Sequence, residues 1–83
     1  MSAKYLNATV ALDLKTVLRY LHVDQRNTGN TTDVEVSRLH DAHGRPDPDA
    51  CVLGGEPQQV MFAIGILAAN GEDCLLRVDQ PAR

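Results

Sequence analysis

Hydrophobic residues recur along this chain with changing period. Over residues 5–12 they alternate, with Leu6, Ala8, Val10 and Leu12 on one side and Tyr5, Asn7, Thr9 and Ala11 on the other, as in a half-buried strand. The period then lengthens. Leu14, Val17, Leu18 and Leu21 follow at i, i+3, i+4, i+7 with Lys15, Thr16 and Arg19 opposite them, which predicts an amphipathic helix with Asp13 as its N-cap. That helix is expected to fray over residues 22–26, ahead of the loop-like Asn27-Thr28-Gly29-Asn30. Residues 32–39 alternate again, with Val34 and Val36 inward and Glu35 and Ser37 outward. Two prolines, a glycine and three aspartates in residues 41–49 predict a turn of hairpin length or longer. Cys51, Val52 and Leu53 read as a short returning strand, stopped by Gly54-Gly55.

Residues 60–69, VMFAIGILAA, have no polar side in either period. Wound as a helix, they put Val60, Met61, Ile64, Leu67 and Ala68 on one stripe and Phe62, Ile66 and Ala69 on the opposite one. Pro57 at a first helical position, the alanines and an Asn70-Gly71 C-terminal cap argue for helix. The same Asn-Gly pair is also a strong hairpin signal, so a strand over residues 60–69 is the alternative. Residues 72–79, where Cys74, Leu76 and Val78 alternate, read as a strand, and residues 80–83 as a short tail.

In order the elements are β, α, β, β, α, β. This succession, a central hairpin between two crossover units, is the pattern of a ferredoxin-like two-layer α+β sandwich; the strand alternative for residues 60–69 would give an all-antiparallel variant. Such a fold hosts many functions and licenses none of them. With 83 residues, the chain is expected to form a single domain, 1–83, of a size where one core gives marginal stability.

Composition narrows the function classes. Eight basic and eleven acidic residues give a net charge of −3, and the basic ones are scattered, which argues against a nucleic-acid backbone as ligand. The apolar run is about half the length that crosses a bilayer, so no membrane span is expected. Residues 1–5 lack the apolar stretch of a secretory signal, and Cys51 and Cys74 are expected as free thiols in the cytoplasm. The acceptor patterns Asn7-Ala8-Thr9 and Asn30-Thr31-Thr32 are accordingly read as chance matches.

No constellation carries recognisable chemistry. His40, His43, Cys51 and Cys74 are zinc-type ligands at the wrong spacing, and His-x-x-His on a turn does not aim both rings to one side. Asp41, Asp47 and Asp49 alternate with prolines and lack a downstream bidentate Glu, unlike a calcium loop. Gly54-Gly55-Glu56-Pro57 resembles an anion-binding helix start, but Glu56 would repel an anion, so helix punctuation is the reading. Ser37 lies in a predicted strand and neither cysteine sits in a nucleophile elbow; no catalysis and no cofactor are expected. The same element order builds an RNA-binding module, whose aromatic platform is missing here: Asn7, Thr9, Glu35, Ser37 and Arg77 face outward with Tyr5 as the lone ring.

What remains is the second stripe of residues 60–69. Phe62 and Ile66 on the outside of a helix already packed on a sheet would form a patch that monomers seldom expose, and Gly65 and Ala69 would let a partner approach closely. The expected function is therefore a non-catalytic protein-interaction or assembly module, a homo-oligomer or a docking component of viral or bacterial type. Its predicted interface is Phe62, Gly65, Ile66 and Ala69. The alternative from another class is a small-molecule-sensing regulatory domain acting as a dimer, with residues 24–32 as its candidate ligand loop.

Overall fold

A computed structural model describes residues 5–79, and the expected tail, residues 80–83, lies outside them. The elements are β1 (Leu6–Val10), α1 (Leu14–Asn27), β2 (Glu35–His40), β3 (Pro46–Gly55), α2 (Pro57–Ala69) and β4 (Leu75–Asp79). The four strands form one antiparallel sheet in the order β2-β3-β1-β4. Residues 60–69 are helical, so the strand alternative falls.

The inner face of β1 is as expected, but Thr9, expected to face outward in water, is buried as well. Leu6, Ala8 and Val10 are buried on the inner face, where they join Cys51 and Leu53 of β3, Val17 and Leu21 of α1, and Val60, Ala63 and Leu67 of α2 in one core. β1 ends two residues before the expected Leu12: Ala11 gives its N–H to the Cys74 carbonyl (2.7 Å) and the chain turns toward the helix.

Asp13 caps α1 as expected, accepting from the backbone N–H of Thr16 (3.2 Å) and from its hydroxyl. The predicted fraying over residues 22–26 does not occur. Thr28 and Gly29 both donate backbone N–H groups to the Asp24 carbonyl (2.8 and 3.0 Å), holding a polar last turn that hydrophobic periodicity cannot detect. Leu18, expected inside, is exposed, and Tyr20 is half-buried instead.

The segment between β2 and β3 departs most from expectation. The predicted long turn over residues 41–49 shrinks to residues 41–45, closed by Asp41 N–H to the Arg45 carbonyl (2.9 Å), and β3 runs for ten residues rather than three. Pro46 and Pro48 are tolerated because β1 pairs only with Cys51–Gly55; the first half of β3 has β2 on one side and needs fewer donors. β2 itself begins at Glu35, later than predicted, with Val34 already buried in the preceding turn. Gly54 and Gly55 are the last two residues of β3 rather than a stop directly after Leu53. At Gly54 a Cβ would collide with the Tyr5 hydroxyl and come within 2.9 Å of Asn7 Oδ1, so glycine lets the Tyr5 side chain lie across the strand.

α2 is punctuated at both ends. Glu56 accepts from Gln59 N–H (3.1 Å) with Pro57 in the first turn. At the other end, Gly71 at φ +83° donates to the Ala68 carbonyl (3.0 Å) and Glu72 to that of Leu67 (3.0 Å), the paired bonds of a Schellman stop. The expected inner stripe is corrected: Ala63 is buried, whereas Met61 and Ala68 are exposed. A small residue at the contact seats the helix close to the sheet and rolls Met61 outward.

β4 also differs, starting at Leu75 rather than residue 72. Its pairing with β1 shifts by one residue, since Thr9 faces Arg77 while Val10 faces Leu75. The extra residue is Leu76. This bulge reverses the expected parity at residues 75–76, so that Leu75 joins Val10 on the inner side and Leu76 lines the outer side with Thr9 and Leu39, while Arg77 stays outward and Val78 stays inward beside Ala8.

Leu53 is fully buried at the centre of the sheet, between Ala8 of β1 and Val36 of β2. Leu53→Ala is expected to cost about 2–5 kcal/mol, read as a lower urea midpoint at unchanged slope; a loss under about 1 kcal/mol would contradict this core assignment.

Candidate functional site

α2 carries no charged residue between Pro57 and Ala69, so its solvent side is apolar by composition. With Val60, Ala63 and Leu67 buried, the helical repeat places Phe62, Gly65 and Ala69 on the side directed away from the sheet. Phe62 is 43% exposed and Met61 53% exposed, and with Gln58 they line a shallow concavity of about 250 Å³. Gly65 opens onto free space, and Ala69 is exposed.

Of the four residues predicted as an interface, three therefore share the open face. Ile66 does not. It is half-buried and turns toward α1, where it lines a groove of about 390 Å³ with Tyr20, Val23, Asn27 and Asn70. The first helix thus covers one flank of the second stripe and leaves Phe62 uncovered.

Polar groups around this groove are engaged in holding the fold. Tyr20 donates its hydroxyl to Glu72 (3.1 Å), which raises the Tyr20 pKa and ties α1 to the segment after α2. Asp24 accepts hydroxyl hydrogens from Thr28 (2.6 Å) and Thr31 (2.9 Å). These bonds, that from Thr28 foremost, hold the Asp24 carboxyl below its ordinary value. Residues 24–32, expected as a loop, are in their first part the last turn of α1, and Thr31 is fully buried by this network. Arg19 lines the groove mouth without an ion pair among the described residues.

The other candidates from the sequence are dispersed or occupied. His40 and His43 are exposed at the β2–β3 turn, whereas Cys51 and Cys74 are buried free thiols near the inner end of β1. Among the described residues no three His, Cys, Asp or Glu side chains gather in a metal-holding group. Asp41 Oδ1 accepts from His43 and Arg45 N–H (2.8 and 2.9 Å) and shapes the turn, while Asp47 Oδ1 accepts from Asp49 N–H (2.8 Å) at the start of β3, so the Asp41 and Asp47 carboxylates are engaged with local backbone. Glu56 occupies the helix start at Gly54-Gly55. Ser37 is exposed on β2. No helix of the described residues is long and apolar enough to cross a membrane.

Residues 72–79 read as a strand in the sequence, but the exposure of the apolar residues of β4 is missed there. Leu75, Leu76 and Val78 are 46%, 60% and 40% exposed, and the strand lies at the edge of the sheet. The adjacent leucines, which break strict alternation, were the available signal of the bulge. No protein-family model, curated protein or solved structure matches this chain.

Two solution measurements test this geometry. Asp24 titrates below its ordinary 3.8 in the fold, so its bonds stabilise above that pH and are lost as pH falls through the depressed value. Asp24→Asn should therefore lose less stability than wild type between pH 7 and pH 3, compared by urea midpoints; parallel losses would contradict the network. Burial pushes the Cys51 thiol up to about 11, with Asp13 and Cys74 adding to the rise, and burial also raises Cys74. Keeping both thiols protonated contributes stability that is complete below about pH 9 and declines as pH rises toward 11. Iodoacetamide at pH 8 should leave both cysteines of the native chain unlabelled and modify both in urea.

Proposed function

We propose that this chain is a non-catalytic protein-interaction module on a ferredoxin-like two-layer scaffold, which self-associates or docks into a larger protein assembly through the open face of α2. The scaffold reading is supported by the βαββαβ element order, by the strand order β2-β3-β1-β4 and by both helices sharing one core with the inner sheet face. The functional reading is carried by one observation: Met61 and Phe62 stand exposed beside Gly65 and Ala69 on a helix face without a charge. Isolated exposed hydrophobes are ordinary; a contiguous uncharged face is the mark of a contact surface. Covering the half of Met61 and Phe62 that is in water would contribute roughly 1.5–3 kcal/mol before the costs of association. Protein is the favoured partner over nucleic acid, given the net charge of −3, and two free buried thiols suit the cytoplasm.

The groove between α1 and α2 favours a second reading, a small-molecule-sensing regulatory domain acting as a dimer. Its volume of about 390 Å³ and its mixed lining of Ile66, Val23, Tyr20 and Arg19 suit a small amphipathic ligand.

Sedimentation of wild type beside Phe62→Gln and Ala69→Glu tests the first reading. Each substitution should weaken self-association about tenfold or more while leaving the melting temperature within a few degrees, because both positions are exposed. Ile66→Ser is unsuited, since it also opens the contact with α1. Unchanged mass in both variants, with a specific upward melting shift in a metabolite screen, would favour the sensing domain instead.

A further inference from the structure

We propose that β4 is a self-pairing edge: it takes the β4 of a second copy of this chain, antiparallel about a two-fold axis at Val78, and extends the sheet to eight strands. This contact lies apart from the open face of α2 and stands on its own residues.

β4 has β1 on one side and, among the described residues, nothing on the other, so one row of its backbone donors and acceptors is unmet. Protected edges carry lysine, proline or dense charge. The opposite edge, β2, exposes only polar residues, Glu35, Ser37, Arg38 and His40, and no aliphatic one. β4 instead has Leu75, Leu76 and Val78 exposed, with neither lysine nor proline in Leu75–Asp79. Its bulge is confined to the Leu75–Leu76 end; Arg77, Val78 and Asp79 continue in regular register against Thr9, Ala8 and Asn7.

Charge selects the register. Arg77 and Asp79 project from the same outer face, with Arg77 Nε 2.9 Å from Asp79 Oδ2. In a two-fold antiparallel pair, residues facing each other must share a sheet face, so the axis passes through a residue that meets its own copy. An axis at Arg77 would set the guanidinium against its twin. An axis at Val78 sets Arg77 against the partner's Asp79 and Asp79 against the partner's Arg77, four charges of alternating sign around a Val78–Val78 contact.

The inner face fits the same axis. α1 lies over β2 and β3 while α2 lies over β1 and β3, and Ile66 marks the flank of α2 that faces α1. The opposite flank, with Met61 and Ile64, is on the β4 side of the molecule, on the same sheet face as Val78 and Leu75. A second copy paired at β4 brings its own apolar flank alongside.

Charge-swap variants measured by sedimentation equilibrium in the Phe62→Gln background isolate this contact from the α2 face. R77D and D79R should each weaken dimerisation about tenfold or more, since each replaces two attractive cross-strand pairs with two repulsive ones. The double swap R77D/D79R restores opposite signs and should return the dissociation constant of the Phe62→Gln parent. Circular dichroism of the swaps should be unchanged, both side chains being on the exposed edge. Single swaps without effect, a double swap that fails to rescue, or a monomeric parent would each overturn edge pairing. Association lost on Phe62→Gln alone would sustain the α2 reading without the edge, and association lost only on R77D would sustain the edge without the α2 reading.

Discussion

β1 is the element on which the rest depends. It is paired on both sides, with β3 and with β4, so the first strand of the chain closes the sheet only when the third and fourth arrive. Ala8 sits at the crossing of these constraints. It is fully buried, faces Leu53 on one side and Val78 on the other, and belongs to the core that the helices cover. The same economy of side chain recurs at Ala63 on α2, and two small residues at a helix–sheet contact let the layers approach closely. Approach at that point fixes the roll of α2, and the roll decides which hydrophobic residues remain outside. Met61 and Phe62 are exposed as a consequence of how the core closes.

The order and type of the elements were legible in the sequence because each carries its own local punctuation. Asp13 caps α1, Pro57 opens α2, and Asn70-Gly71 ends it; all three act over a few residues and are decided by backbone donors and acceptors. What was illegible depends on partners remote in sequence. The length of β3 follows from β2 running beside prolines that composition alone assigns to a turn. The parity of β4 follows from one extra residue set against β1. Rotation of a helix that is apolar all round cannot be read from periodicity, because periodicity needs a polar side to give it phase.

The same limit explains how the candidate interface divided. Phe62, Gly65 and Ala69 share the open side, as a helical repeat places them, but Ile66 lies near enough to the boundary for α1 to claim it. A stripe drawn on a wheel has no neighbours; in the fold, its edge is set by the helix beside it. The exposed residues of β4 were hidden for a related reason, since edge position is a property of strand order.

Two apolar surfaces on a chain of 83 residues bear on stability as well as on contact. A core of this size leaves a margin of about 5–15 kcal/mol at best. Any partner that binds the native chain and not the unfolded one adds to that margin by mass action, about 2.7 kcal/mol when free partner is at a hundred times its dissociation constant. If the partner is another copy, the stability of the fold rises with its own concentration. Exposed Met61, Phe62 and Val78 would then be a reserve of apolar surface that the monomer leaves in water and the assembly removes from it. The two contacts differ in what disturbs them. A contact through the uncharged α2 face would have no charge attraction for salt to screen, whereas the proposed β4 register would rest on exposed ions whose attraction is screened beyond about 10 Å at 0.1 M ionic strength. Salt would therefore weaken the proposed edge through Arg77 and Asp79, while a contact on the helix face would rest on hydrophobic burial.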